Sequence, residues 1–204
     1  MKKLLLLIGI LVIVVDISFF VFGRQTHIKN YPPKDGPLVA FGDSLVAGYG
    51  STEGHDFVSL LSAQIGEPII NLGVSGDTTA DGLKRIDEVL EINPRIVMVL
   101  LGGNDFLRKV PREETFATLR TIINRIQESG AIVVVLGVRG GLLSDNADQL
   151  FKKVAEETGS AYVPNVLSGL FADGRYMSDA IHPNDAGYAR VAEKVLPILQ
   201  KILK

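Results

Sequence analysis

Leu38-Val39-Ala40-Phe41-Gly42-Asp43-Ser44-Leu45-Val46-Ala47-Gly48 passes within a few positions from an apolar run to a serine set among small and polar neighbours. The run is long enough for a buried strand, and the glycines around the serine let other backbone approach closely. A serine at such a strand end is held where its hydroxyl can meet a ligand. Serine is also an ordinary turn or helix-cap residue, so the stretch is decided by what stands around it.

Short apolar runs recur at 69–72, 96–101 and 131–137, with a shorter fifth at Ala161-Tyr162-Val163. They are continuous rather than alternating, the pattern of strands covered on both faces. Helical patterns lie between them, over His55–Ile65, Asp77–Leu90, Arg112–Ser129 and Asp145–Thr158. The last two end at Gly130 and Gly159, the usual stop signal. A final helix is expected over roughly Asp185–Leu203, with a kink at Pro197. Strands alternating with helices predict a three-layer α/β/α sandwich with a five-stranded parallel sheet, one domain over residues 38–204.

Composition narrows the partners. The 21 basic and 23 acidic residues are interspersed and leave a net charge of −2, which gives no footprint for nucleic acid. There is no cysteine, so disulfides, thiolate metal sites and a cysteine nucleophile are excluded.

Toward the N-terminus, residues 24–37 include Pro32, Pro33 and Pro37 and lack apolar periodicity, which predicts an extended linker. Before it, Leu4–Phe22 departs from Leu, Ile, Val and Phe only at Gly9, Asp16 and Ser18. That matches the ~17–25 residues of a bilayer span, and no small-residue cleavage site follows. Residues 1–23 are therefore expected to be an uncleaved signal anchor, a transmembrane helix with the domain outside. Asp16 costs ~2.5–3.5 kcal/mol at mid-span against roughly 5–10 kcal/mol from the apolar residues. It stands either as a tolerated, neutralised side chain or as a contact for an intramembrane partner.

In open parallel sheets, ligands bind at the carboxyl ends of the strands. Those ends carry Gly42-Asp43-Ser44, Gly73-Val74-Ser75-Gly76-Asp77-Thr78 and Gly102-Gly103-Asn104-Asp105, and late in the chain stands Ser178-Asp179-Ala180-Ile181-His182-Pro183-Asn184. Together they supply the parts of an acyl-transfer site. Ser44 needs a base to take its proton, and His182 is the best placed of three histidines, since His27 falls in the linker and His55 beside Gly54. Asp179, three residues earlier, can hold the imidazole and stabilise its cation. The backbone N–H groups of Ser44 and Gly76 and the amide of Asn104 are candidate oxyanion donors. Each residue alone has an ordinary structural reading as a turn, cap or loop amide; all of them at strand ends do not.

The motifs GDSLVAG (42–48), GVSGDTT (73–79), LGGND (101–105) and DAIHPN (179–184) resemble the four blocks of the SGNH, or GDSL, hydrolases, and most of all their arylesterase and thioesterase I/lysophospholipase group. The resemblance implies a flavodoxin-like fold, Ser44 as nucleophile, Gly76 and Asn104 in the oxyanion hole, and Asp179 and His182 completing a triad. With the expected N-terminal anchor, the reading is of a bacterial inner-membrane enzyme whose catalytic domain faces the periplasm. Val46 stands where an α/β-hydrolase elbow needs its second glycine, so that alternative is not supported. No cofactor or metal is implied.

The loops after Asp105 and after the fourth strand, with Phe106, Leu107, Leu142 and Leu143, are candidate substrate walls. They fit an acyl groove with a cationic rim, and they equally fit ordinary packing. The expected activity is hydrolysis of small-molecule or lipid esters or thioesters. An O-acetyl esterase of polysaccharide or peptidoglycan, and a non-enzymatic membrane-tethered binding module, remain as alternatives.

Overall fold

A computed structural model of the chain describes residues 27–138, 147–171 and 173–204. Strands β1 (Leu38–Gly42), β2 (Ile69–Gly73), β3 (Ile96–Leu100), β4 (Ile132–Leu136) and β5 (Ala161–Val163) form one sheet in the order β2-β1-β3-β4-β5. Every neighbouring pair is parallel, which is the flavodoxin-like arrangement expected. The β-branched runs of β3 and β4 are buried along their whole length, as is β1, because helices cover both faces of the sheet. Edge strand β2 is partly exposed.

Eight α-helices among the described residues flank the sheet: α1 (Ser44–Ala47), α2 (Phe57–Ile65), α3 (Thr79–Lys84), α4 (Ile86–Glu91), α5 (Gly103–Leu107), α6 (Arg112–Glu128), α7 (Ala147–Thr158) and α8 (Asp185–Ile202). Helices α2 and α8 pack together, while α3, α6 and α7 associate through contacts of α6 with both of the others. Their ends follow local chemistry. Asp56 caps α2 by accepting from the Val58 and Ser59 N–H groups, Asn184 caps α8 by accepting from Gly187, and Gly130 follows α6 at φ +87°. Helix α8 runs on through Pro197 to Ile202.

Three expectations change. The helix read as continuous over 77–90 is two, parted at Arg85, whose backbone leaves helical geometry at φ −110° and ψ 18°. Helices α1 and α5, about one turn each, start within a few residues of the ends of β1 and β3, and both are too short to carry a periodic signal.

The third change concerns residues 27–37, which are bonded to the domain rather than extended away from it. The Lys29 N–H donates to the Gly159 carbonyl at 2.8 Å, and Asn30 Nδ2 donates to the carbonyls of Gln127 and Ala131, each at 2.8 Å. Lys34 Nζ donates to the Ser129 carbonyl at 2.8 Å, the Arg95 N–H to that of Pro37 at 2.9 Å, and Ile28 packs against the core. The prolines forbid a regular element but leave carbonyls and neighbouring side chains free to bond. All these partners lie at the sheet's N-terminal edge, just before β3, β4 and β5. The span read over Leu4–Phe22, Asp16 included, lies outside the described residues; among the described residues no helix is long and apolar enough to cross a membrane.

Candidate active site

The opposite edge of the sheet gathers the four polar tips. Strand β1 must end in glycine, because a Cβ on Gly42 would come within 2.2 Å of the Leu100 carbonyl oxygen. Asp43 then caps α1, accepting from the Leu45 N–H at 3.0 Å, so that Ser44 is the first residue of the helix. Ser44 is only 8% exposed.

His182 closes on it from the loop before α8. Its Nε2 is 3.0 Å from Ser44 Oγ, and its Nδ1 is 2.8 Å from Asp179 Oδ2. The other carboxylate oxygen of Asp179 accepts the N–H groups of Ile181 and His182, each at 2.8 Å. Partial burial disfavours the Asp179 charge, but these bonds and the imidazole hold the carboxyl down to about 2. A carboxylate anion thus faces Nδ1, while Nε2 faces the Ser44 hydroxyl. The loop itself is fastened: the Ser178 N–H donates to the His182 carbonyl at 2.9 Å, and Asp185 accepts from both the N–H and the hydroxyl of Thr52 at 2.7 Å.

Gly76 occupies the turn after β2 at φ +90°, a conformation that favours glycine. The turn is closed by the Asp77 N–H donating to the Val74 carbonyl, and Arg108 Nη2 donates to the Gly76 carbonyl at 2.8 Å. From α5, Asn104 Nδ2 donates to the Asp77 carbonyl at 3.0 Å and approaches Asp43 Oδ2 at 3.5 Å. Ser44, Gly76 and Asn104 therefore stand on three tips joined around one point. Among the described residues, no group of three or more histidine and acidic side chains is arranged to hold a metal ion.

A profile of the GDSL-like lipase/acylhydrolase family matches residues 40–190. The chain belongs to this family. It is 31% identical over 178 residues to the esterase TesA of Pseudomonas aeruginosa, covering 81% of this chain and 89% of that protein. It is 33% identical over 178 residues to an arylesterase of Vibrio mimicus, again covering 81% of this chain and 89% of the relative. A crystal structure of TesA superposes with a TM-score of 0.75 at 32% identity, covering 82% of this chain and 99% of that one. This GDSL-like hydrolase is accordingly an ester-hydrolysing enzyme, and the non-enzymatic alternative is set aside.

Of the candidate substrate walls, Phe106 and Leu107 lie on α5 and are 41% and 54% exposed. Phe106 lines an apolar cleft beside Asn104 together with Gly103, Val110, Phe116, Val138 and Phe151; Leu107 does not line it. Leu142 and Leu143 lie outside the described residues.

Four further residues pack into or brace the candidate site and escaped the reading of the sequence. Asp105 is buried and accepts both the N–H and the hydroxyl of Thr79, at 2.8 and 2.6 Å, clamping the Asn104 tip to the start of α3. Asp43 is buried, and its carboxyl is pushed up to about 7, by desolvation first and then by the carboxylates of Asp77 and Asp105, against the lowering bond from Leu45. Arg85 bonds to Asp77. Tyr49 lies against His182. Asp43 and Asp105 each adjoin a candidate residue in the sequence, a usable signal; Arg85 and Tyr49 gave none.

Proposed function

We propose that the chain hydrolyses carboxylic esters or thioesters through an acyl-enzyme on Ser44. His182 Nε2 takes the Ser44 proton as Oγ attacks the carbonyl carbon, and Asp179 stabilises the resulting imidazolium. The negative oxygen of the tetrahedral intermediate is held by the Ser44 and Gly76 N–H groups and the Asn104 amide. His182 then protonates the leaving oxygen or sulfur as the carbon–leaving-group bond breaks. A water molecule, deprotonated by the same imidazole, attacks the acyl carbon and releases the acid while Oγ regains its proton.

The observation that carries this reading is the relay from Ser44 Oγ through His182, at 3.0 Å and 2.8 Å, to Asp179. The apolar cleft beside Asn104 suits the acyl portion, and the names of the relatives, an esterase and an arylesterase, accord with ester substrates. Ser44→Ala should abolish p-nitrophenyl butyrate hydrolysis and labelling by a fluorophosphonate while the protein stays folded. Retained activity would overturn the assignment. A panel of lysophospholipid, acyl-CoA and O-acetylated sugar substrates separates the lipid, thioester and O-acetyl readings.

We further propose that Leu4–Phe22 anchors the enzyme in the bacterial inner membrane with the catalytic domain in the periplasm. The support is the length and apolarity of that run. A catalytic domain resistant to protease added to spheroplasts would refute the orientation.

A further inference from the structure

An oxyanion hole is effective only if its donors are fixed before the charge develops, since donors that reorient during reaction lose much of their benefit. Gly76 has no side chain to fix it, and among the described residues its carbonyl is bonded by Arg108, a half-exposed guanidinium. Beyond the Asp77–Val74 bond that closes it, the turn gains from a contact that ties it to the neighbouring strand ends.

Arg85 is placed to make that contact. Its Nε donates to Asp77 Oδ2 at 2.6 Å, and its Nη2 donates to the carbonyls of Gly42 at 2.9 Å and Leu72 at 3.1 Å. The guanidinium also lies 4.3 Å from the centroid of the Phe41 ring. Both members of the Arg85–Asp77 pair are largely withdrawn from water, with side chains 14% and 12% exposed, where charge-assisted bonds are stronger than at the surface. Gly42 leads into Ser44, Leu72 leads into the Gly76 turn, and Asp77 follows Gly76. The Asp77 carbonyl, in turn, receives the amide of Asn104.

We propose that Arg85 is a positioning residue for the oxyanion hole, one guanidinium that holds the ends of β1 and β2 and the residue after Gly76 in a single geometry. The inference rests on the assignment of Ser44, Gly76 and Asn104 given above. It also accounts for the break between α3 and α4, which falls on the residue whose side chain turns back under the site. A lysine could not replace it: a single ammonium on a flexible stem cannot reproduce the planar fork that meets three acceptors.

The test uses Arg85→Lys, Arg85→Ala and Asp77→Asn in the full chain, with p-nitrophenyl butyrate kinetics, fluorophosphonate labelling rates and thermal unfolding. Arg85→Lys should lower kcat by about 10- to 100-fold with KM within about 2-fold, since displacing a donor costs up to what deleting one does. Labelling should slow in parallel. Guanidinium at tens of millimolar should recover part of the kcat of Arg85→Ala, an effect that a merely looser fold would not give. Asp77→Asn should cost little once Arg85 is already lysine, because the two act as a unit. If Arg85→Ala does not fold, the lysine and Asp77→Asn variants decide. The proposal is overturned by wild-type kcat and labelling in folded Arg85→Lys, or by a loss confined to KM. Absence of labelling in the wild type would instead remove the Ser44 assignment itself.

Discussion

The Tyr49 ring lies 4.5 Å from the His182 imidazole, centroid to centroid, tilted by 51°, and the Tyr49 carbonyl accepts the hydroxyl of buried Tyr188 at 2.8 Å. The backbone of Tyr49 is thus fixed to α8 while its ring packs against the imidazole, limiting rotation away from Ser44. Because the contact is made by the ring, Tyr49→Phe should retain activity within about twofold. Tyr49→Ala should lower kcat by roughly 10-fold, since misplacement of a reacting group is costly. Steady-state kinetics on the two variants test this, and an unimpaired alanine variant would refute it.

Asp43 predicts a pH dependence of stability. Its carboxyl is raised to about 7 in the folded chain from an ordinary 3.8, so between those values the folded state binds the extra proton. Its contribution to stability is therefore fully present below pH 4 and is lost as pH rises to 7, at up to ~1.4 kcal/mol per pH unit. Asp43→Asn removes that slope. Urea unfolding at several pH values should find the stability of the asparagine variant rising relative to wild type from pH 4 to 7, then levelling. A constant difference across that range would exclude the effect.

The cleft beside Asn104 predicts a chain-length effect. Phe106 is half-exposed on α5, so Phe106→Ala should change stability by no more than about 0.5 kcal/mol. Its ring supplies apolar surface that an octanoyl chain can cover and an acetyl group cannot reach. The variant should lose roughly 5- to 10-fold in kcat/KM on p-nitrophenyl octanoate and little on the acetate. Equal losses on both esters would place the acyl chain elsewhere.

The strands were legible because burial on both faces demands unbroken apolar runs, and Ile96–Leu100 and Ile132–Leu136 are of that kind. The candidate site was legible because its residues sit in glycine-rich tips at strand ends, where small residues and polar side chains have few other reasons to cluster. What escaped has one physical cause: it depends on where long or bulky side chains reach. Arg85 reads as part of a helix until its guanidinium is seen at Gly42, and Tyr49 reads as a surface aromatic until its ring is seen on His182. The docking of residues 27–37 belongs to the same class, since Asn30 gives no local sign of its partners about a hundred positions away.

If the segment before residue 27 anchors the enzyme as proposed, that docking sets the direction in which it works. Residue 27 leaves the domain at the foot of the sheet, and strands of five residues, at ~3.3 Å each, put Ser44 some 15 Å away at the opposite end. A copy held by the segment before residue 27 would carry Ser44 at the end of the domain away from its tether. Its catch would be drawn from the surrounding aqueous space or from a facing surface, and the lipids at its own base would lie behind it.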